Sequence, residues 1–298
     1  MYQIEKNIHN LYTEIPKCDV DDLFSENADS GEGHLSFEDF AIPTLTCLGE
    51  GEFGKVYCAR GRRRGLRNRI ALKVLPKGEK NNLKYVKTEV QIMTSLPFHE
   101  NILQLYSYFA DKGNIYLVLE FISGGNLHDL EKPFSADMSA RFIRDICNGL
   151  SHCHQHKIIH RDLKSDNLML CSEKGVKIID FGCANFFDKH GNTECGSLLY
   201  YSPEMLNARG GPKYGYSVDI WPIGVLLFEF LTGKLPFGES DYEKVAKNIL
   251  GLNICWPKEG DISDSAKDLI SKLLVADPSK RLPLVDVTRH AFIQENLD

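Results

Sequence analysis

A chain of 298 residues with 43% hydrophobic and 26% charged side chains has the composition of a folded protein with a real core, in one large domain or two packed lobes. No apolar run approaches the roughly 18 residues that cross a bilayer, and the longest candidate, 223–231, carries Glu229 inside it. The net charge of −6 is concentrated in residues 1–39, with ten acidic and two basic side chains, which leaves a nearly neutral remainder and argues against a nucleic-acid binder driven by overall charge.

The first residues show no basic-then-apolar targeting pattern, and nine scattered cysteines fit buried thiols in a reducing compartment. The expectation is an intracellular protein of the cytoplasm or nucleus. Ile4, Ile8, Leu11 and Ile15 recur at helical spacing until Pro16, and an acidic, Gly- and Ser-containing linker follows to about Gly33. This short helix either docks, on the protein's own body or on a partner, or frays, because a helix of this length is marginal in water. With only Lys6 near its polar face, it is not expected to attach to a membrane.

From Phe40 the pattern changes to short strands at 45–48, 56–60, 70–75, 102–109 and 115–120. One helix interrupts them, with Leu83, Val86, Val90, Met93 and Leu96 on a single stripe. After Gly124-Gly125 the chain reads as helices at 136–156, 218–231, 242–250, 263–274 and 284–290. The fold class is therefore α+β, in two lobes with a cleft between them. The boundaries are an acidic extension at 1–39, a strand-rich lobe at 40–121 and a mainly helical lobe at 122–298. Pro222 suits only a first helical turn, so the helix around it should start near 218–220 or bend there.

Gly49-Glu-Gly51-Glu-Phe-Gly54-Lys-Val56 lets a backbone approach phosphate oxygens closely, since no Cβ stands in the way. The residues that follow read as strand, which favours a hairpin lid over a dinucleotide-binding helix. Alternation places Ala71 and Lys73 on one strand face. Glu89 borders the buried stripe of the next helix, within reach of Lys73, and such a pair would ready the lysine for the α- and β-phosphates of a nucleoside triphosphate. The strongest signal is His160-Arg-Asp162-Leu-Lys164-Ser-Asp166-Asn167, followed by Asp180-Phe-Gly182. Asp162 can orient a substrate hydroxyl and take its proton, and Lys164 can neutralise charge on the transferred phosphoryl group. Asn167 and Asp180 supply hard oxygen ligands for Mg²⁺.

From about Phe40 to Leu297 the sequence resembles the eukaryotic protein kinases, which implies their two-lobe fold, ATP and Mg²⁺ as cofactors, and protein substrates. By that resemblance Glu120–Ile122 form the hinge that binds adenine, Leu119 is the gatekeeper, and Val56, Ala71 and Met169 sandwich the base. Lys164 resembles the serine/threonine type, and Glu204 would pair with Arg281. Stretches such as Asn101-Ile-Leu-Gln-Leu-Tyr-Ser-Tyr-Phe109 and Glu194-Cys-Gly-Ser197 are similar to Aurora-type mitotic kinases.

The likeness implies that Thr193 is the activating phosphosite, its phosphate pairing with Arg161. Aurora kinases carry arginines just before this threonine, whereas here the run is Lys189-His-Gly-Asn192, which points to an upstream kinase or an activating protein. Ser197 matches a position beside the phosphoacceptor. Asp166 and Glu229 match acidic positions that bind upstream arginine, while Asn126 replaces a third. The expected protein is a monomeric kinase domain with no nucleic-acid or membrane partner.

Other features carry less. His152 and His156 share a helix face but sit where capping residues are ordinary, and the arginines from Arg60 to Arg69 read as a solvated turn. A pseudokinase scaffold would lack Lys73, Asp162, Asn167 or Asp180, and all four are present. A small-molecule or lipid kinase would not need the segment from Cys183 to Tyr201.

Overall fold

The structure, a computed structural model, describes residues 39–41, 47–51, 54–61, 69–77, 80–172, 175–187, 195–207, 215–238, 241–258 and 260–297. The expected helix at 4–15, the acidic linker, Arg62–Arg64, Arg67 and Thr193 lie outside the described residues. Two compact units emerge from the chain's contacts. The first runs to Phe98 and resumes for Leu103–Ile122; the second takes His99–Ile102 and everything from Ser123.

In the first unit, alternation builds one antiparallel sheet from β1 (Phe40–Ala41), β2 (Cys47–Gly51), β3 (Gly54–Gly61), β4 (Arg69–Pro76), β5 (Leu105–Ala110) and β6 (Asn114–Glu120). The order is β1-β3-β4-β6-β5, with β2 paired to β3. Ile70 and Leu72 of β4 point into a core with Phe40, Ala59, Phe109, Tyr116 and Val118. The Phe109 ring stacks on Phe40 at 5.6 Å and on Tyr116 at 4.6 Å. Burying each such side chain contributes about 1.5–3 kcal/mol over leaving it exposed. Ala71 and Lys73 take the opposite face, as alternation requires. Helix α1 (Lys80–Ser95) lies between β4 and β5 in the chain and buries Val86, Glu89, Val90 and Met93.

Expected to begin at Ile102, β5 begins at Leu105 instead. The preceding residues are claimed by the second unit: Ile102 bridges Ile178, the Ile178 N–H donates to Asn101 O at 2.9 Å, and Asn101 Nδ2 donates to Val176 O at 3.0 Å. A periodic run cannot disclose that its first residues pair elsewhere.

The second unit is built around α2 (Ala136–Gln155), whose N-cap Ser135 accepts the Met138 N–H and whose apolar stripe includes Phe142, Ile146 and Leu150. Short strands β7 (Ile158–Ile159) and β10 (Asn185–Phe186) pair, as do β8 (Leu168–Ser172) and β9 (Gly175–Ile178). Helices α3 (Pro203–Leu206), α4 (Trp221–Thr232), α5 (Tyr242–Gly251), α6 (Asp264–Leu273), α7 (Leu284–Val287) and α8 (Ala291–Glu295) follow. α4 is buried from Trp221 through Phe230, hence its apolar sequence all round. Pro222 falls in its first turn, where a missing N–H costs nothing. The helix expected at 284–290 ends at Val287, and His290 instead caps α8, its Nδ1 accepting the Phe292 N–H. Among the described residues no helix is long and apolar enough to cross a membrane.

Arg281, with its side chain fully buried, is tied to Glu204 by two bonds of 2.6 Å. It also donates to Val275 O at 2.9 Å and Ser217 O at 2.8 Å, and lies 5.2 Å from the Trp221 ring. Replacing it by Met leaves a carboxylate and two carbonyls without their donor. Urea unfolding of Arg281→Met should show a loss of about 3–5 kcal/mol, with Arg281→Lys recovering little because an ammonium cannot fork. A loss under about 1 kcal/mol would reduce the tie to an ordinary surface pair.

Candidate active site

The glycine-rich segment is the β2–β3 hairpin, with Gly49 opposite Val56, Glu50 opposite Lys55 and Gly51 opposite Gly54. A Cβ on Gly54 would stand 2.0 Å from Val74 O, so close packing of the sheet demands glycine there. A Cβ on Gly49 would meet nothing within 4 Å, which leaves that backbone open to a ligand. Val56 faces Lys73 across the β3–β4 ladder.

Lys73 Nζ lies 2.6 Å from Glu89 Oε1, with the two side chains 14% and 2% exposed. The stripe that sinks α1 into the unit carries Glu89 down with it, and the carboxylate meets the lysine that β4 turns to that face. Ala71, Glu120 and Ile122 belong to this unit, while Met169, on β8 opposite Lys177, belongs to the other. Glu120 is anchored by its N–H on Gln104 O at 3.0 Å and by its carboxylate on the Gln104 N–H at 3.2 Å.

In the second unit, a fully buried carboxylate organises the loop after β7. Asp219 Oδ2 accepts the His160 N–H at 2.9 Å and bonds His154 Nε2 at 2.8 Å, and Oδ1 accepts the Arg161 N–H at 2.8 Å. Burial alone would raise this carboxyl, but the His154 bond and the Arg161 amide outweigh it and hold it below the usual carboxylate range. Anchored so, Arg161 takes a left-handed φ of 67° and turns the chain sharply. Its Nε donates to Cys183 O at 2.7 Å.

Beyond this turn the reactive side chains converge. Lys164 Nζ lies 3.0 Å from Asp162 Oδ2 and donates to Ser197 Oγ at 2.7 Å. Asn167 Nδ2 donates to Asp162 O at 2.7 Å and to Oδ2 at 3.0 Å. Asp162 Oδ1 is buried and, among the described residues, has no hydrogen-bond partner. Burial would lower the Lys164 pKa, yet Asp162, Asp166 and Asp180 together raise it and keep the ammonium charged. The Ile179 N–H donates to Asn167 O at 2.9 Å, which brings Asp180, with φ 56°, next to Asn167. With its amide N–H spent on Asp162, Asn167 has a side-chain carbonyl oxygen to offer, a hard donor like the carboxylate of Asp180. This donor set, hard oxygens beside an ammonium, fits a divalent cation carrying phosphate.

Asp166 and Glu229 line one cavity of about 400 Å³ with His128, Lys132 and Tyr200. Glu229 is already engaged, by Lys132 Nζ at 3.2 Å and by Tyr200 OH, which donates at 2.8 Å. Asp166 is exposed, its carboxylate 3.7 Å from His128 Nδ1, and the Asn126 amide donates to its backbone carbonyl. The rings of His152 and His156 lie 4.5 Å apart, yet among the described residues no group of three such side chains could hold a metal ion. Asp219, Lys132 and Tyr200 escaped the sequence reading, since a lone Asp ahead of a helix reads as a cap and an isolated Lys or Tyr as surface.

Residues 43–293 match the protein kinase domain family. The chain is 40% identical over 270 residues to "Aurora kinase" of Saccharomyces cerevisiae, covering 88% of this chain and 71% of that protein. It is 38% identical over 257 residues to "Serine/threonine-protein kinase Aurora-1" of Arabidopsis thaliana, covering 84% and 85%. To "Aurora kinase C" of Mus musculus it is 39% identical over 278 residues, covering 91% and 97%.

Asp219→Asn should lower stability at neutral pH by about 1–3 kcal/mol. Because the folded pKa of Asp219 is depressed, its contribution is complete above the ordinary carboxylate value of about 4 and is lost as pH falls through the folded value. Urea titrations from neutral to acid pH should therefore show the gap between wild type and variant closing below about pH 4. A gap that widens in acid would contradict the account.

Proposed function

The chain belongs to the protein kinase family, and we propose from that premise how its own residues carry the reaction. It is a serine/threonine protein kinase of the Aurora-like type, a phosphotransferase that uses ATP with a divalent metal and acts on proteins. In our reading the metal is Mg²⁺, held by Asn167 and Asp180; when bound it neutralises charge on the phosphate oxygens. Lys73, poised by Glu89, holds the α- and β-phosphates under the backbone of Gly49, Gly51 and Gly54. The backbone of Glu120 and Ile122 takes adenine, packed by Val56, Ala71 and Met169.

Asp162 orients the incoming hydroxyl and accepts its proton at Oδ1, the oxygen that has no hydrogen-bond partner among the described residues. That orphaned oxygen is the observation that carries this reading, because Asn167 and Lys164 occupy the other one and so aim it. Lys164 compensates charge developing on the transferred group. Ser197 positions the acceptor segment, and Asp166 with Glu229 favours basic residues upstream. Residues 1–39 are an acidic extension, 40–121 the smaller lobe and 122–298 the larger lobe of a monomeric kinase. We assign it to the cytoplasm or nucleus, consistent with free thiols at all eight described cysteines.

In a radiolabelled assay over a peptide series, wild type should favour arginine before the acceptor. Asp162→Asn should lose about 10²-fold or more in rate, and Asp166→Ala should lose the arginine preference. Equal incorporation by wild type and Asp162→Asn would favour a pseudokinase scaffold. Activation at Thr193, through its phosphate and Arg161, is assigned to an upstream kinase or a protein activator, since no arginines precede the threonine directly. Site-mapped mass spectrometry of the full chain incubated with MgATP alone should find Thr193 unmodified; efficient self-phosphorylation there would remove the need for either.

A further inference from the structure

Neither carboxylate oxygen of Glu229 is open to a substrate cation. Oε1 lies 3.2 Å from Lys132 Nζ, and Oε2 accepts the Tyr200 hydroxyl at 2.8 Å. Burial, with Glu229 beside it, pushes the Tyr200 pKa up, so that hydroxyl keeps its proton and remains a donor. Lys132 is held as firmly. Its ammonium also donates to Leu127 O at 2.9 Å and to His128 O at 3.3 Å, and it lies 5.8 Å from the Phe134 ring. The side chains of Lys132 and Glu229 are 10% and 9% exposed, so water screens the pair little. A substrate guanidinium seeking Glu229 would have to displace an ammonium held by three oxygens, or stand beside it and be repelled. Asp166 differs: its carboxylate is half-exposed, and His128 Nδ1 at 3.7 Å is beyond hydrogen-bonding distance.

The cavity that these two carboxylates line is therefore not an acidic one. Lys132 and Lys234 line it as well, two ammoniums against two carboxylates. Leu130, Leu199 and Leu235, each half-buried, give it aliphatic wall, and its volume of about 400 Å³ has room for a leucine or methionine side chain. It also adjoins the catalytic loop, since Tyr200 OH lies 3.1 Å from Ser165 Oγ, three positions after Asp162. A substrate chain whose hydroxyl reaches Asp162 has this cavity close at hand.

We propose that Lys132 is a specificity-determining residue: by occupying Glu229 from within the protein, it makes this cavity the seat of an aliphatic substrate side chain. The enzyme then reads one arginine, through Asp166, and a leucine or methionine where a second arginine would otherwise sit. The proposal rests on the basic preference given under the proposed function and narrows it, because Lys132 limits what Glu229 can add. Burying an aliphatic side chain against the three leucines is favourable, and it asks no charge to leave its partner.

The test uses the full chain and fluorescent peptides that share an acceptor serine and one upstream arginine. They differ in a second residue, leucine, alanine or arginine, walked through the other upstream positions. Anisotropy reads binding whether or not phosphate is transferred, and a radiolabelled assay reads kcat/KM on the same peptides. At one position leucine should be favoured over both alanine and arginine by about fivefold or more. Lys132→Met should reverse the order there, with arginine above leucine, whereas Lys132→Arg should keep it. Lys132→Gln, whose amide can still serve Leu127 O, repeats the reversal should the Met variant fail to fold. A variant that is merely damaged would weaken every peptide alike and leave the order unchanged. In wild type, a second arginine bound as well as leucine at every position would overturn the aliphatic seat. An unchanged order in folded Lys132→Met or Lys132→Gln would overturn the role of Lys132. No phosphate transfer to any peptide would refute the kinase reading, and indifference to the shared arginine the basic preference; in either case the anisotropy order still decides the cavity.

Discussion

A single buried carboxylate holds the catalytic half of this kinase in order. Asp219 has no exposure to solvent and takes three donors, the His160 and Arg161 amides and the His154 ring. A charge so placed is tolerated only because every direction open to it is answered by a donor. In return it bends the chain through a left-handed Arg161, and that bend sends Asp162, Lys164 and Asn167 to one spot only a few residues further on. Preorganisation of this kind matters in phosphoryl transfer, where the protein contributes position and charge more than covalent chemistry.

The first unit solves a smaller problem by the same means. A lysine in mid-strand and a glutamate on a buried helix stripe would each be costly alone. Set 2.6 Å apart they answer each other, and the backbone of β4 and the packing of α1 fix the pair without relying on flexible loops. Arg281 and Glu204 repeat the device at a structural position, with the bidentate geometry only arginine supplies.

Much of this is legible in the sequence. Alternation in 70–75 and the helical stripe through Val86, Val90 and Met93 placed Lys73 and Glu89 within reach of each other, because both periods follow from backbone geometry alone. The spacing from Asp162 through Asn167 to Asp180 pointed to a phosphate and metal centre. Long-range pairing was the illegible part. Nothing local marks Asp219 as the anchor of a loop some sixty positions earlier, or tells that Ile102 leaves β5 to meet Ile178. Glu229 interrupts an apolar helix and matches a substrate-binding position, but its bonds to Lys132 and Tyr200 depend on three separate segments converging. Helix ends shifted where caps such as His290 competed with periodicity.

If Asp219 acts on catalysis by placing Asp162, the two residues form one functional unit. The most direct measurement is a double-mutant cycle on kcat for peptide phosphorylation, with Asp219→Asn, Asp162→Asn and both together. The account predicts that Asp219→Asn slows the wild-type enzyme but costs little once Asp162 is gone. Fully additive losses would mean that Asp219 works through something other than the orientation of the catalytic aspartate, and would contradict it.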